Sequence, residues 1–411
     1  MYDVIIVGAR VAGSATALLL ARQGVRVLVV DRATFPSDTL STHQVQVPGV
    51  ARLAEWGLLD RLTAAGTPPT RRLLFDPGPV ALEGPIQGAI YSPRRTVLDK
   101  VLVDAAREAG AEVRENVVVE DLLTDPTGRV TGVRCQEKRG ITTTEQARLV
   151  IGADGKHSFV ATTVDAPRYK EVPNRTMAYY TYWADVPLDR GEVYVRGQRA
   201  IGAWPTNDGL VMTYVGAPAQ DFAEFRRDPE ASLLAALDLA GDLGKRVREG
   251  RRAERLRGTP DLPNFFRQPY GPGWALVGDA GYVLDPITAQ GISDALRDAE
   301  LLADAVLAGA AHGAEAPDAM ARYQAERDRA ALPMYDFTLR LAAFGPPRVE
   351  DEVLFRALAD RPAEAERFLG VIAGSVPLRD YLTPRNIFRV IGARGVAKVA
   401  LSKLRSTTRR R

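Results

Sequence analysis

The chain opens MYDVIIVGARVAGSATALLLARQGVRVLVVDR, residues 1–32, and the order of residue types in that stretch decides the fold. A valine and isoleucine run stops at Val7, as a buried parallel strand would. Gly8 permits a sharp turn, a helix follows to about Gln23, and a second strand ends at Val30 with Asp31 just beyond. Strand, tight turn, helix and strand in that order form a unit that grips a dinucleotide. Gly13 lets the helix pack closely on the strand. The free N–H groups of Val11, Ala12 and Gly13 would face a pyrophosphate, and the helix dipole adds a favourable field. Asp31, with Arg32 beside it, can accept hydrogen bonds from an adenosine ribose. Arg10 stands where the middle glycine of G-x-G-x-x-G is usual, so its bulk must point away from the backbone path. A structural turn that binds nothing is the alternative. An acid at the ribose disfavours a 2′-phosphate, which leaves FAD and NAD ahead of NADP as a tightly held cofactor.

Composition bounds the rest. The 411 residues suffice for two or three domains' worth of core, and 46% hydrophobic with 26% charged residues is ordinary for a globular protein. No apolar run approaches the ~20 residues a membrane span needs, and the N-terminus does not read as a signal peptide. The single cysteine, Cys135, excludes an internal disulfide, and a cytoplasmic location is expected. With only His43, His157 and His312, no metal site is expected. The net charge of +3 hides an asymmetry: residues 385–411 hold nine Lys/Arg and no acid, and the remainder holds 45 basic and 51 acidic residues. The basic tail reads either as a solvated helix with a frayed arginine end or as a membrane-surface helix drawn to anionic lipid. Nucleic acid is not an expected partner, because no reading element accompanies the charge. The oligomeric state is left open.

Further along, Val50–Ala65 and Leu98–Ala109 have helical period, and 71–92 carries short strand signals. Residues 129–137 and 142–150 look like paired strands that lead into LVIGADGKHSFV, 149–160. From Arg175 to Val215 the texture changes to period two, in MAYYTYWADV, GEVYVRG and GLVMTYVG, with a turn at Asn207-Asp208-Gly209. Residues 221–257 read as helical, and 293–309 and 317–341 as long helices. The expected fold class is α/β. Its parts are a Rossmann-like domain from 1–70, 93–165 and 266–345, an antiparallel substrate sheet inserted from 71–92 and 166–265, and a C-terminal helical region over 346–411.

Three motifs now stand in order: GARVAG at 8–13, the Asp154-Gly155 turn, and Gly278-Asp279 within WALVGDAGYVLDPITAQGISDALRDAELLADAV, 274–306. Together they resemble the class A FAD-dependent monooxygenases of p-hydroxybenzoate hydroxylase type, a clan that also holds geranylgeranyl reductases and flavin-dependent halogenases. SPRRTVLDKVLVDAAREAG, 92–110, resembles that family's Arg-x-x-Leu helix through Arg95 and Leu98. The resemblance spans about residues 1–345. It implies that Asp279 holds ribityl hydroxyls of a tightly bound FAD, a role a two-oxygen acceptor suits. It implies that Asp154 and Gly155 serve FAD and the nicotinamide donor. Pro286 leads to a helix start where the N–H groups of Gly291 and Ile292 would meet the flavin N1–C2=O edge and stabilise charge there.

The implied activity is an NAD(P)H-dependent monooxygenation, with NAD(P)H a transient reductant and O2 a cosubstrate adding at flavin C4a. It would hydroxylate or epoxidise a small aromatic or apolar metabolite. Reduction of an isoprenoid is the alternative. A halogenase is disfavoured, since IGAWPTNDG is the nearest stretch to Trp-x-Trp-x-Ile-Pro, and a non-enzymatic flavin binder is a minor reading. His43, in the loop FPSDTLSTHQVQVPG, is the candidate proton shuttle, or else a loop histidine satisfying carbonyls. Tyr180, Tyr182, Tyr194, Trp204, Met212 and Tyr214 are candidates to line a substrate pocket, or else core.

Overall fold

The computed structural model describes residues 1–137, 140–311, 317–346 and 348–408. His312 and Arg409, Arg410 and Arg411 of the basic tail lie outside the described residues.

The opening stretch builds the centre of an α/β layer. The first strand, Tyr2–Val7, pairs in parallel with Val27–Asp31 on one side and with the last half of Thr142–Gly152 on the other. Glu112–Glu115 and Trp274–Leu276 extend the parallel sheet outward. The first helix, Val11–Ala21, lies on one face against Arg95–Glu108 and Gly291–Ala311. It is apolar nearly all round because helices cover it on both sides. The opposite face is closed by the meander Val117–Thr124, Val130–Glu137 and Thr142–Gly152, around Ile5, Leu28, Val133 and Leu276.

The second sheet supplies the inserted layer. Its order is Arg251–Arg252, Thr176–Ala184, Val211–Pro218, Arg199–Pro205, Gly191–Arg196, Pro69–Asp76 and Leu82–Tyr91. All neighbours along it are antiparallel except Gly191–Arg196 beside Pro69–Asp76. A strand at Arg199–Pro205, to which the sequence reading gave no bounds, completes the Gly191–Arg196 hairpin. The stretch 221–257 is not one helix. It breaks into Phe222–Phe225, Pro229–Leu237 and Leu243–Glu249, then returns to the sheet. Pro229 starts a helix rather than continuing one, and Gly241 sits at a positive φ of 59° that stops the next turn. These short helices cover one face of the sheet. The C-terminal helices, from Val349 to Thr408, pack on the Pro69–Tyr91 hairpin.

Candidate dinucleotide and substrate site

The three motif loops meet at the start of the first helix. Gly8 has φ +105°, and a Cβ placed there would lie 2.4 Å from the Ala153 carbonyl oxygen. A Cβ on Gly13 would lie 1.8 Å from the Gly8 carbonyl oxygen and 3.1 Å from the Ala153 side chain. One on Gly278 would lie 2.7 Å from the Ala12 methyl group. Segments more than 120 residues apart therefore touch through glycine or alanine backbone, an approach no larger residue permits.

No side chain caps the first helix, so the N–H groups at its start are open to an anion. Arg10 turns away from them. Its guanidinium donates to Asp99 at 2.6 Å, reaches Ser37, and lies over the Phe35 ring. Asp99 is fully buried and also accepts three bonds from Arg95, one from Nε at 3.0 Å and two from Nη2 at 2.8 Å and 3.1 Å. Arg95 is thus oriented by Asp99, and its charge acts on both Asp279 and His43. Asp31 accepts the Ala9 and Ala33 N–H groups, each at 2.7 Å, and so braces the glycine turn. Each carboxylate oxygen has two lone pairs, which leaves capacity for ribose hydroxyls. Arg32 is exposed just beyond.

The two motif aspartates differ in what they do. Asp154 Oδ2 accepts the Phe159 and Val160 N–H groups at 2.6 Å and 3.2 Å, which caps the short helix Phe159–Thr163. Its Oδ1 is buried without a partner, and burial raises its pKa. Gly155, at φ +84°, completes the turn, and Lys156 and His157 pin it to Asp261. Asp279 instead has no protein hydrogen bond among the described residues. Its oxygens reach solvent, yet surrounding protein raises its pKa. A carboxylate left unpaired by the chain and open to solvent keeps both oxygens free to accept a ligand's hydroxyl groups.

Beyond it, Pro286 opens a single turn, Asp285 caps that turn through the Ile287 N–H at 3.0 Å, and Gly291 begins the long helix. Gly291 is exposed with nothing within 4 Å of where a Cβ would lie, so packing within the chain does not require a glycine there. Ile292 is buried. Asp285 is 1% exposed, is bonded to the Thr176 hydroxyl, and has its pKa raised to about 6 by burial. A folded pKa above the ordinary value means folding is favoured by protonation. That contribution is complete below the unfolded carboxylate pKa and is lost as pH rises through about 6. Asp285→Asn is therefore expected to raise Tm by a few degrees at pH 7.5 and by little at pH 4.5. Thermal melts at the two pH values check this, and an equal change at both contradicts it.

The loop bearing His43 joins the two layers. The Gln46 N–H donates to Ser293 Oγ at 2.9 Å, and Val45 bridges to Tyr91 of the second sheet. His43 has φ +64°, is fully buried, stacks on Tyr182 at 5.7 Å, and bonds the Tyr182 hydroxyl through Nε2. Burial first, then Arg95, Arg94 and Arg257, hold its pKa well below the usual value, so the imidazole is neutral at physiological pH. Arg94 and Arg257, which the sequence reading did not single out, surround this pair. The Arg94 guanidinium lies 4.7 Å from the Tyr182 ring centre, and Asp38 pairs with Arg257 at 2.9 Å. Arg94 stands beside Arg95 in SPRRTVLDK, and that adjacency was the one available signal.

Sheet register sorts the aromatic candidates. Tyr182 faces Met212, which faces Trp204, and Tyr180 faces Tyr214. Directly opposed residues share a face, so these five gather in one cluster with Ala178. Tyr194 corrects the expectation. It faces Ile201, which faces Val215, which faces Tyr179, and that line belongs to the helix-covered face. There its hydroxyl donates to Glu192 at 2.9 Å. On the cluster face, Trp204 Nε1 and the Tyr214 hydroxyl are buried without partners.

The family described as FAD binding domain matches residues 1–229. The chain belongs to that family. The open helix start, the unpaired Asp279 carboxylate and the bare Gly291 turn fit FAD as its pyrophosphate, ribityl and flavin-edge contacts. The chain is 30% identical to digeranylgeranylglycerophospholipid reductase 2 of Methanopyrus kandleri, over 72% of this chain and 74% of that protein. It is 28% identical to menaquinone reductase of Mycolicibacterium smegmatis, over 75% and 76%. The solved structure of the flavin-dependent brominase Bmp2 superposes with TM-score 0.75 at 19% identity over 100% of both chains, a likeness of fold. The chain is an FAD-dependent oxidoreductase by family, and its neighbours in sequence are FAD enzymes. Among the described residues, no group of three His, Cys, Asp or Glu side chains gathers as a metal centre, and no helix is long and apolar enough to cross a membrane.

Proposed function

We propose that the protein reduces a carbon–carbon double bond in an apolar, prenyl-type molecule, with NAD(P)H as the transient source of electrons. The observation that carries this reading is the neutral His43–Tyr182 pair, set at the edge of a buried apolar face and tied to the start of the long helix. Bound FAD supplies hydride chemistry. The second alkene carbon then needs a proton from the protein.

Tautomer logic indicates its source. His43 Nδ1 is buried without a partner. An orphaned lone pair costs less than an orphaned N–H, so the proton belongs on Nε2, donated to the Tyr182 oxygen. The Tyr182 O–H is then free to point at substrate. Burial raises the Tyr182 pKa, which keeps the hydroxyl protonated until it is used. The two reductases named above, matched over about three quarters of this chain, support the same reaction class.

A second reading is the monooxygenation that the family resemblance implies, with O2 as cosubstrate and a flat aromatic or apolar metabolite. The rings of Tyr180, Tyr182, Trp204 and Tyr214, each no more than 5% exposed, favour it by offering a dry wall for stacking.

Parallel incubations without oxygen and in air, with reductant and either a geranylgeranyl lipid or aromatic candidates, separate the readings by product mass. A gain of two hydrogens without oxygen supports reduction, and a gain of one oxygen that requires air supports monooxygenation. Substrate recovered at unchanged mass in both atmospheres contradicts both. Tyr182→Phe is expected to lower kcat at least tenfold while flavin content stays at the wild-type value, and unchanged kcat removes the proposed proton donor.

A further inference from the structure

The terminal helix, Pro384–Thr408, buries Val390 against the helices beside it but leaves Phe388, Val396 and Leu401 exposed. Gly395 fixes the orientation. A Cβ there would lie 3.1 Å from the Val353 side chain, so this side faces the helix Val349–Ala359. At 100° per residue, Val399 and Ser402 fall on the same side as Gly395, and all three are half-buried. Ala393, Val396, Ala397, Ala400 and Leu401 fall on the opposite side, and all are exposed, Val396 at 41% and Leu401 at 56%. Arg394 and Lys398 border one edge of that strip, one turn apart, and make no ion pair among the described residues. Before the break at Gly392, Phe388 is 55% exposed, with Arg385 and Arg389 exposed beside it, and Arg389 is bonded to Glu364. A globular surface helix puts polar residues at the centre of its outer face, and this one puts them at the margin.

We propose that this helix docks the protein on a bilayer bearing anionic lipid. The strip would sit at the boundary of headgroups and acyl chains, and the cations at its edge would meet lipid phosphates. Charge supports that occupant: the segment from 385 onward has nine cations and no acid, whereas the rest of the chain carries a net −6. An approaching anionic surface therefore attracts this end and repels the body, which orients the protein. A bare acidic protein surface would satisfy the cations but leave Phe388, Val396 and Leu401 exposed, and a bilayer takes both.

The test is co-sedimentation of the full chain with phosphatidylcholine vesicles, with and without phosphatidylglycerol. Binding is expected to the anionic vesicles, to be weak on neutral ones, and to fall in 0.5 M salt. Leu401→Asp and the double variant Arg394→Glu/Lys398→Glu are each expected to weaken binding at least tenfold. These side chains are exposed, and unchanged thermal melts verify the fold. No binding at low salt overturns the proposal, and so does binding that neither variant weakens. Equal retention on soluble polyglutamate, insensitive to Leu401→Asp, overturns it in favour of an acidic partner. A dimer that Val396→Asp dissociates, without vesicle binding, overturns it in favour of a second copy. The vesicles hold no substrate, so either result leaves the proposed reaction to its own test.

Discussion

Replacing Asp279 with alanine is expected to strip FAD from the protein. The carboxylate has no hydrogen-bond partner within the chain among the described residues and is exposed, so its acceptor oxygens are free for a ligand's hydroxyl groups, although surrounding protein raises its pKa. A hydrogen bond to a charged acceptor contributes about 2 kcal/mol, or roughly thirtyfold in Kd. Asp279→Asn keeps one acceptor oxygen and is expected to fall between the wild type and alanine. Flavin released per chain, together with fluorescence titration of the flavin-free proteins, reads the effect. Stability without flavin should hold, because the exposed carboxylate makes no hydrogen bond within the chain among the described residues. Loss of stability together with loss of flavin would mean that Asp279 supports the fold rather than the cofactor.

Gly13→Ala is expected to have the larger effect on the protein itself. The added methyl carbon would lie 1.8 Å from the Gly8 carbonyl oxygen, and that atom belongs to the turn on which all three loops converge. Backbone cannot rotate out of the way as a side chain can, so the first helix must back off the first strand. A cost of at least about 3 kcal/mol follows from the overlap, and it falls on residues that would hold the pyrophosphate. The expected product is insoluble, or soluble without flavin at a much lower Tm. Gly24→Ala is the control: its φ is +78° with nothing within 4 Å, so only the backbone penalty of about 1–2 kcal/mol applies. Similar melts for the two variants would contradict the close packing described here.

What the sequence made legible was local or nearly so. The strand, Gly8 turn, helix and strand at the N-terminus read directly, because glycine spacing and β-branched runs are set by backbone sterics within 32 residues. The convergence of Gly8, Asp154 and Gly278 was legible only through resemblance, since no local rule brings together loops so far apart. The face of Tyr194 was not legible. Its assignment needs the register of Arg199–Pro205, a strand whose own pattern is obscured by Gly202, over which the Trp204 ring lies. The reading of His43 lacked its partner for the same reason: Tyr182 is 139 residues away, and only the assembled sheet brings it to Nε2. Between 221 and 257 the helical composition was real, but Pro229 and a left-handed Gly241 cut it into pieces. Asp154 had been assigned to the cofactor. Its Oδ2 is committed to capping a helix, and only the partnerless Oδ1 remains for a ligand.

The account rests on a cradle for a dinucleotide, with the adenosine diphosphate half on Gly8–Gly13 and Asp31 and the ribityl chain on Asp279. Titration of the flavin-free protein with FAD and, separately, with FMN tests it most directly. Saturation at one FAD per chain, with FMN binding at least a hundredfold more weakly, is the predicted result. Equal affinity for the two flavins, or no binding of either, would contradict it.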